Sequence, residues 1–231
     1  MAELFDVAIK YAEKNVLSFL LMFIIFFAIN LIIGGIIAVI LGIVTLLSPI
    51  FILFFSGVSS AISFFILAWY ISSLGDVSKS LISNTMPNYI NSIFNSLSLM
   101  MNNLFPTLII VILGFIGGVV AGVLPGFSLG ASYFGNLFIE GLFYAAATGI
   151  ALSELTGKRN GINFTHIFNK INSTSSNAGV TLYILVLLPV IPVLGFIQGL
   201  LLGLAVLIIL LFETHKNTQD GKTKKQEVHK K

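Results

Sequence analysis

The residue that could do the most chemistry in this chain is Glu140, the one charge between Lys79 and Glu154. An ionisable group at bilayer depth is costly and usually faces a cavity or a partner. One reading therefore gives Glu140 a proton or cation pathway. The other places it near the outer end of a span, within reach of water. Asn30 and Gln198 are further polar residues inside apolar stretches. They are expected to hydrogen-bond between helices, with ligand binding as the alternative.

Gly126-Phe127-Ser128-Leu129-Gly130 has the spacing of a nucleophile elbow. That motif needs a strand, a sharp turn, a helix and a histidine partner. No strand is expected here. The histidines, His166, His215 and His229, fall in polar segments expected on the opposite side of the membrane from Ser128. The chain has no cysteine, which removes disulfides, thiolate metal sites and cysteine nucleophiles. Metal-ligand spacing and phosphate-cradling loops followed by lysine are also missing from the sequence. No catalytic residue, metal, cofactor or nucleic-acid partner is expected, and the chain does not read as an enzyme.

Glycine spacing is the clearest pattern. Gly114, Gly118, Gly122, Gly126 and Gly130 recur at every fourth position, and Gly195, Gly199 and Gly203 repeat the spacing later. Small residues so placed form a flat stripe that another helix can approach closely. That helix could belong to a second subunit or to the same chain. Pro125 interrupts the first series.

The elements that carry these residues follow from composition. Hydrophobic residues make up 57% of the chain and charged residues 9%, against roughly 25% charged in soluble domains. No charge occurs between Lys14 and Asp76 or between Lys170 and Glu213. A helical span needs roughly 20 apolar residues. Runs such as Phe19-Leu20-Leu21-Met22-Phe23-Ile24-Ile25 do not alternate in polarity, as barrel strands do. The expected fold is an all-α integral membrane protein of about six transmembrane helices, with short amphipathic interfacial helices on the cytoplasmic side.

Residues 1–15 read as an amphipathic N-terminal segment, 16–213 as the polytopic transmembrane domain and 214–231 as a disordered, Lys-rich cytoplasmic tail. Acidic Glu3, Asp6 and Glu13 argue against a signal peptide. Span one is expected from Val16 to Leu41 and span two from Leu47 to Ser73. Gly42 and Pro49 should punctuate the turn between them, and Trp69 and Tyr70 should anchor at the interface. From Asp76 to Asn103 the chain turns polar. There Ile90, Ile93, Phe94, Leu97 and Met101 form an apolar stripe opposite the Asn and Ser residues, as in a helix lying on the membrane surface. Spans three and four follow, Leu104–Leu124 and Tyr133–Leu155. Residues 157–177 are polar, and Ala178–Phe212 reads as a tight helical hairpin. The segments around Ile9, Phe94 and Phe168 look alike, which suggests either a degenerate repeat or a common need of hairpin proteins for interfacial helices.

Lys10, Lys14, Lys79, Lys158, Arg159, Lys170 and the lysines after Glu213 all fall on one side if there are about six spans. The expected location is the cell membrane with both termini cytoplasmic.

The stretch from Ile93 to Gly157 resembles the stage II sporulation protein M family. Ile93-Phe94-Asn95 through Asn102-Asn103-Leu104, leading into Ile112-Leu113-Gly114-Phe115-Ile116-Gly117-Gly118, is similar to the family's Asn-containing approach to a glycine-bearing span. Gly126-Phe127-Ser128-Leu129-Gly130 is similar to its Asn-Gly-aromatic-x-x-Gly element, with Pro125 where Asn is expected. Glu140-Gly141-Leu142-Phe143 sits where the family has Pro-His-Gly, with Glu140 in place of His and Tyr144 in place of Glu. The resemblance implies a non-enzymatic membrane partner and carries over no catalytic residue.

Two function classes follow. One is a membrane scaffold or accessory subunit, with the lipid bilayer and other subunits or a second copy as partners. The other is a small transporter or channel with Glu140 on an internal pathway.

Overall fold

The computed structural model describes residues 2–45, 50–123, 129–155 and 201–211. Among them every regular element is helical. The helices are α1 (Ala2–Lys14), α2 (Val16–Thr45), α3 (Ile50–Ile82), α4 (Tyr89–Asn102), α5 (Leu104–Val123) and α6 (Leu129–Ile150). α6 runs on into a π turn, Ala151–Leu155, and α7 is Leu201–Leu211. Among the described residues, three stretches are long and apolar enough to cross a membrane: Val16–Ile40, Leu53–Ile82 and Leu104–Val123. Gly141–Ile150 and Leu201–Leu211 are apolar but shorter.

Two units share one order, a short amphipathic helix followed by a pair of apolar ones: α1 before α2 and α3, and α4 before α5 and α6. Of the third such unit expected from the sequence, only α7 is described; residues 157–177 lie outside the described residues, as do Pro125, Gly126, Ser128, Gly195, Gln198, Gly199 and the tail.

α3 is the hub, with α2, α4 and α5 all packed against it. It is 33 residues long, about 50 Å at the α-helical rise of 1.5 Å, and so outreaches a hydrocarbon core of about 30 Å. Its last turns correct the expected boundary at Ser73. Asp76–Ile82 continues the helix rather than opening a surface segment. Leu74, Val77 and Leu81 recur on one face and are buried. Ser73 and Ser80 return their hydroxyls to the carbonyls of Trp69 (2.9 Å) and Asp76 (3.2 Å), so these serines do not need water to stay helical. The stop comes at Asn84, whose φ of 53° is left-handed. The N–H of Thr85 reaches Ser80 O at 2.9 Å and that of Asn84 reaches Leu81 O at 3.1 Å. This pair of bonds is the Schellman arrangement, which Asn can close in place of Gly.

Gly42 also departs from expectation. It lies within α2, which continues to Thr45, because an isolated glycine in an apolar helix has no water to compete for its backbone.

α4 turns much of the expected apolar stripe outward and docks through its serines. Ser92, Ser96 and Met100 are the buried residues, while Ile90, Phe94 and Met101 are exposed. The serine face docks on α3, where Ser96 and Ser73 share a hydroxyl–hydroxyl bond and Trp69 Nε1 donates to Ile93 O at 2.8 Å. In lipid the apolar stripe belongs outside, and interhelical hydrogen bonds supply the glue.

Candidate functional site

Two helical stripes with identical spacing face each other across α2 and α3. α2 presents Phe23, Phe26, Phe27 and Asn30; α3 presents Ser63, Ile66, Leu67 and Tyr70. Each set follows i, i+3, i+4, i+7, the spacing of one helix face. Together with Tyr144 of α6 they line a cavity of about 180 Å³. Its floor is tight, since Phe26, Ile66, Leu67 and Tyr70 are all buried. Phe26 meets Tyr70 at a centroid distance of 5.2 Å and Trp69 edge-on at 5.3 Å. Phe64 meets Tyr144 edge-on at 5.7 Å. At the mouth, Phe27, Asn30 and Ser63 are exposed.

Tyr70 is 4% exposed and its hydroxyl has no hydrogen-bond partner among the described residues. This corrects the expected interfacial anchor: Tyr70 points into the bundle, and its neighbour Trp69 spends its N–H on α4. Leaving a buried donor unsatisfied costs about 1–3 kcal/mol. Asn30 lies within the span Val16–Ile40, near its middle, and is exposed. Sequence reasoning singled out Asn30 but passed over Ser63. The missed signal was the matching stripe on α3.

A second recess of about 400 Å³ lies where the α1–α2 junction meets the α3–α4 turn, with Lys14, Asn15, Thr85 and Tyr89 among its lining. Ser18 Oγ and Tyr89 OH are 2.8 Å apart across it. Asn15 Nδ2 donates to Tyr11 O at 2.8 Å and its carbonyl accepts from Ser18 N at 2.9 Å. The α1–α2 junction and the turn after α3 therefore sit at the same end of the hairpin.

The glycines of α5 are taken up by the chain itself. A Cβ on Gly114 would lie 2.9 Å from Ala61 Cα and from Phe64. One on Gly118 would collide with the Ser56 carbonyl and lie 2.6 Å from Ser60 Cβ. Gly122 is looser, with Leu53 and Ser56 at 3.3 Å. Ser56 Oγ donates to Gly118 O at 2.8 Å and ties the crossing. In α7, a Cβ on Gly203 would lie 2.7 Å from Phe19 of α2. The backbone of Glu140 belongs to α6, and its side chain lies outside the described residues. Among the described residues no cluster of acids or histidines could hold a metal ion.

Compared with protein families, curated proteins and solved structures, the chain matches none.

Proposed function

We propose that this protein is a non-enzymatic, multi-pass membrane scaffold or accessory subunit of a membrane complex. The observation that carries this reading is the outer half of α2. Leu31, Ile32, Ile36 and Val39 are 57–66% exposed. Among the described residues, a Cβ built on Gly34 or Gly35 meets nothing within 4 Å. A close helix approach gains dispersion contacts that lipid chains supply less well. The occupant we assign is a helix of another subunit or of a second copy.

About six spans with both termini cytoplasmic is the topology we attach to this reading. It is supported by Lys10 and Lys14 on α1 and Lys79 near the end of α3, which the shared recess brings to one end of the hairpin. Kinship with the stage II sporulation protein M family belongs to the same proposal. Its support is the sequence between Ile93 and Gly157, and the family's partnering role agrees with a scaffold.

The test is native mass determination with quantitative pull-down in mild detergent, on the wild type and Gly35→Leu. A defined complex that Gly35→Leu dissolves, with unchanged thermal melting, supports the proposal. A lone monomer in detergent that also fails to cross-link in native membranes overturns it.

A further inference from the structure

The cavity between α2, α3 and α6 has features that structural packing alone does not require. Its floor holds a phenol hydroxyl, Tyr70, that is almost fully buried and has no partner among the described residues. Its mouth holds the Asn30 amide, exposed near the middle of a span. Between them stand Phe23, Phe26 and Phe27. Polar groups in hydrocarbon find partners because water is not there to supply them. A partner that reaches both groups must enter sideways, from the lipid.

We propose that this cavity binds the ring of a membrane-dissolved quinone-type lipophile. The volume of about 180 Å³ suits one small ring, since an engineered apolar cavity of about 150 Å³ takes up benzene. Aromatic walls favour a flat ring, stacked or edge-on. Tyr70 O–H donates to one ring carbonyl at the floor. The Asn30 amide N–H donates to the carbonyl at the opposite end of the ring, at the mouth. The apolar tail leaves past Phe27 and Ser63 into lipid. Binding alone is proposed, and it stands independently of the scaffold reading.

Trp69 is the only tryptophan in the chain and packs edge-on to Phe26 at 5.3 Å, so its fluorescence reports on the cavity. The experiment titrates purified full-length protein in detergent with duroquinone, and in parallel with durene, a methylated benzene ring without carbonyls. Saturable quenching by duroquinone is expected. Tyr70→Phe, which keeps the ring and removes the hydroxyl, should weaken it about five- to ten-fold. Ser63→Phe, at the exposed mouth, should abolish it without changing thermal melting. The proposal is overturned if quenching rises linearly and equally in Ser63→Phe. It is also overturned if durene binds as tightly as duroquinone, or if Tyr70→Phe binds duroquinone like the wild type.

Discussion

The glycines of α5 and those of α2 are the same residue type in helices of similar apolarity, yet they stand in opposite environments. On α5, Gly114 and Gly118 lie so close to α3 that a single added carbon meets backbone or Cβ atoms. On α2, a Cβ at Gly34 or Gly35 meets no described residue within 4 Å. In a soluble protein burial follows apolarity. In lipid it does not, because side chains facing the bilayer lose no hydrophobic contact. What separates the two helices is the number of neighbours. The apolar window of α5 is 39% buried against 17% of that of α2. Glycine spacing therefore says that a close approach is available, and the contact partner decides whether it has been used.

The largest effect should come from Gly118→Leu. Its first side-chain carbon already strikes the Ser56 carbonyl and Ser60, and backbone cannot step aside as a flexible side chain can. A loss of about 3 kcal/mol or more is expected, read as failure to purify as a folded species or as a collapse of the melting temperature. Near-native melting would mean that α3 and α5 are not crossed at this point. Gly114→Ala adds one carbon against Ala61 Cα and Phe64 at 2.9 Å and should cost about 1–3 kcal/mol in unfolding by denaturing detergent. Ser56→Ala removes only the hydroxyl that bonds Gly118 O at 2.8 Å. About 0.5–1 kcal/mol is expected, and a larger loss would show that the bond organises the crossing. At the small end, Gly34→Ala should leave stability unchanged within about 0.5 kcal/mol. Were it as damaging as Gly114→Ala, the contrast between the two helices would be gone.

Much of the scaffold was legible from residue types. The charge-free runs from Asn15 to Gly75 and from Ser80 to Ile139 announce helices in lipid, and α2 and α5 begin at the expected residues. Which way the helices face was not legible. α2 and α3 are apolar all round, so periodicity has no polar side to mark the exterior. On α4 the stripe of Ile90, Phe94 and Met101 was visible; that α3 would hold the serines opposite was not. The end of α3 was missed because serines that bond their own helix look, in sequence, like a loop. The cavity was half legible. Asn30 stands out as a polar residue in an apolar run, whereas Tyr70, beside Trp69, has the look of an interfacial anchor and is buried instead.

Asn103 closes α4 and opens α5 at once. Its N–H and side-chain amide bond Leu99 O at 3.0 and 2.8 Å, and its carbonyl accepts from Thr107 N at 3.3 Å. The two helices thus share one residue of slack, whereas the turn between α3 and α4 carries Met86 at 99% exposure. Over evolutionary time the two joints should tolerate change very differently. An extra residue near Met86 lengthens a turn and leaves both neighbours in register. One beside Asn103 turns α4 by about 100° relative to the span that follows. That rotation swings the serines of α4 away from Ser73 and toward lipid. Length variation among relatives of this chain should therefore gather at the first joint and avoid the second.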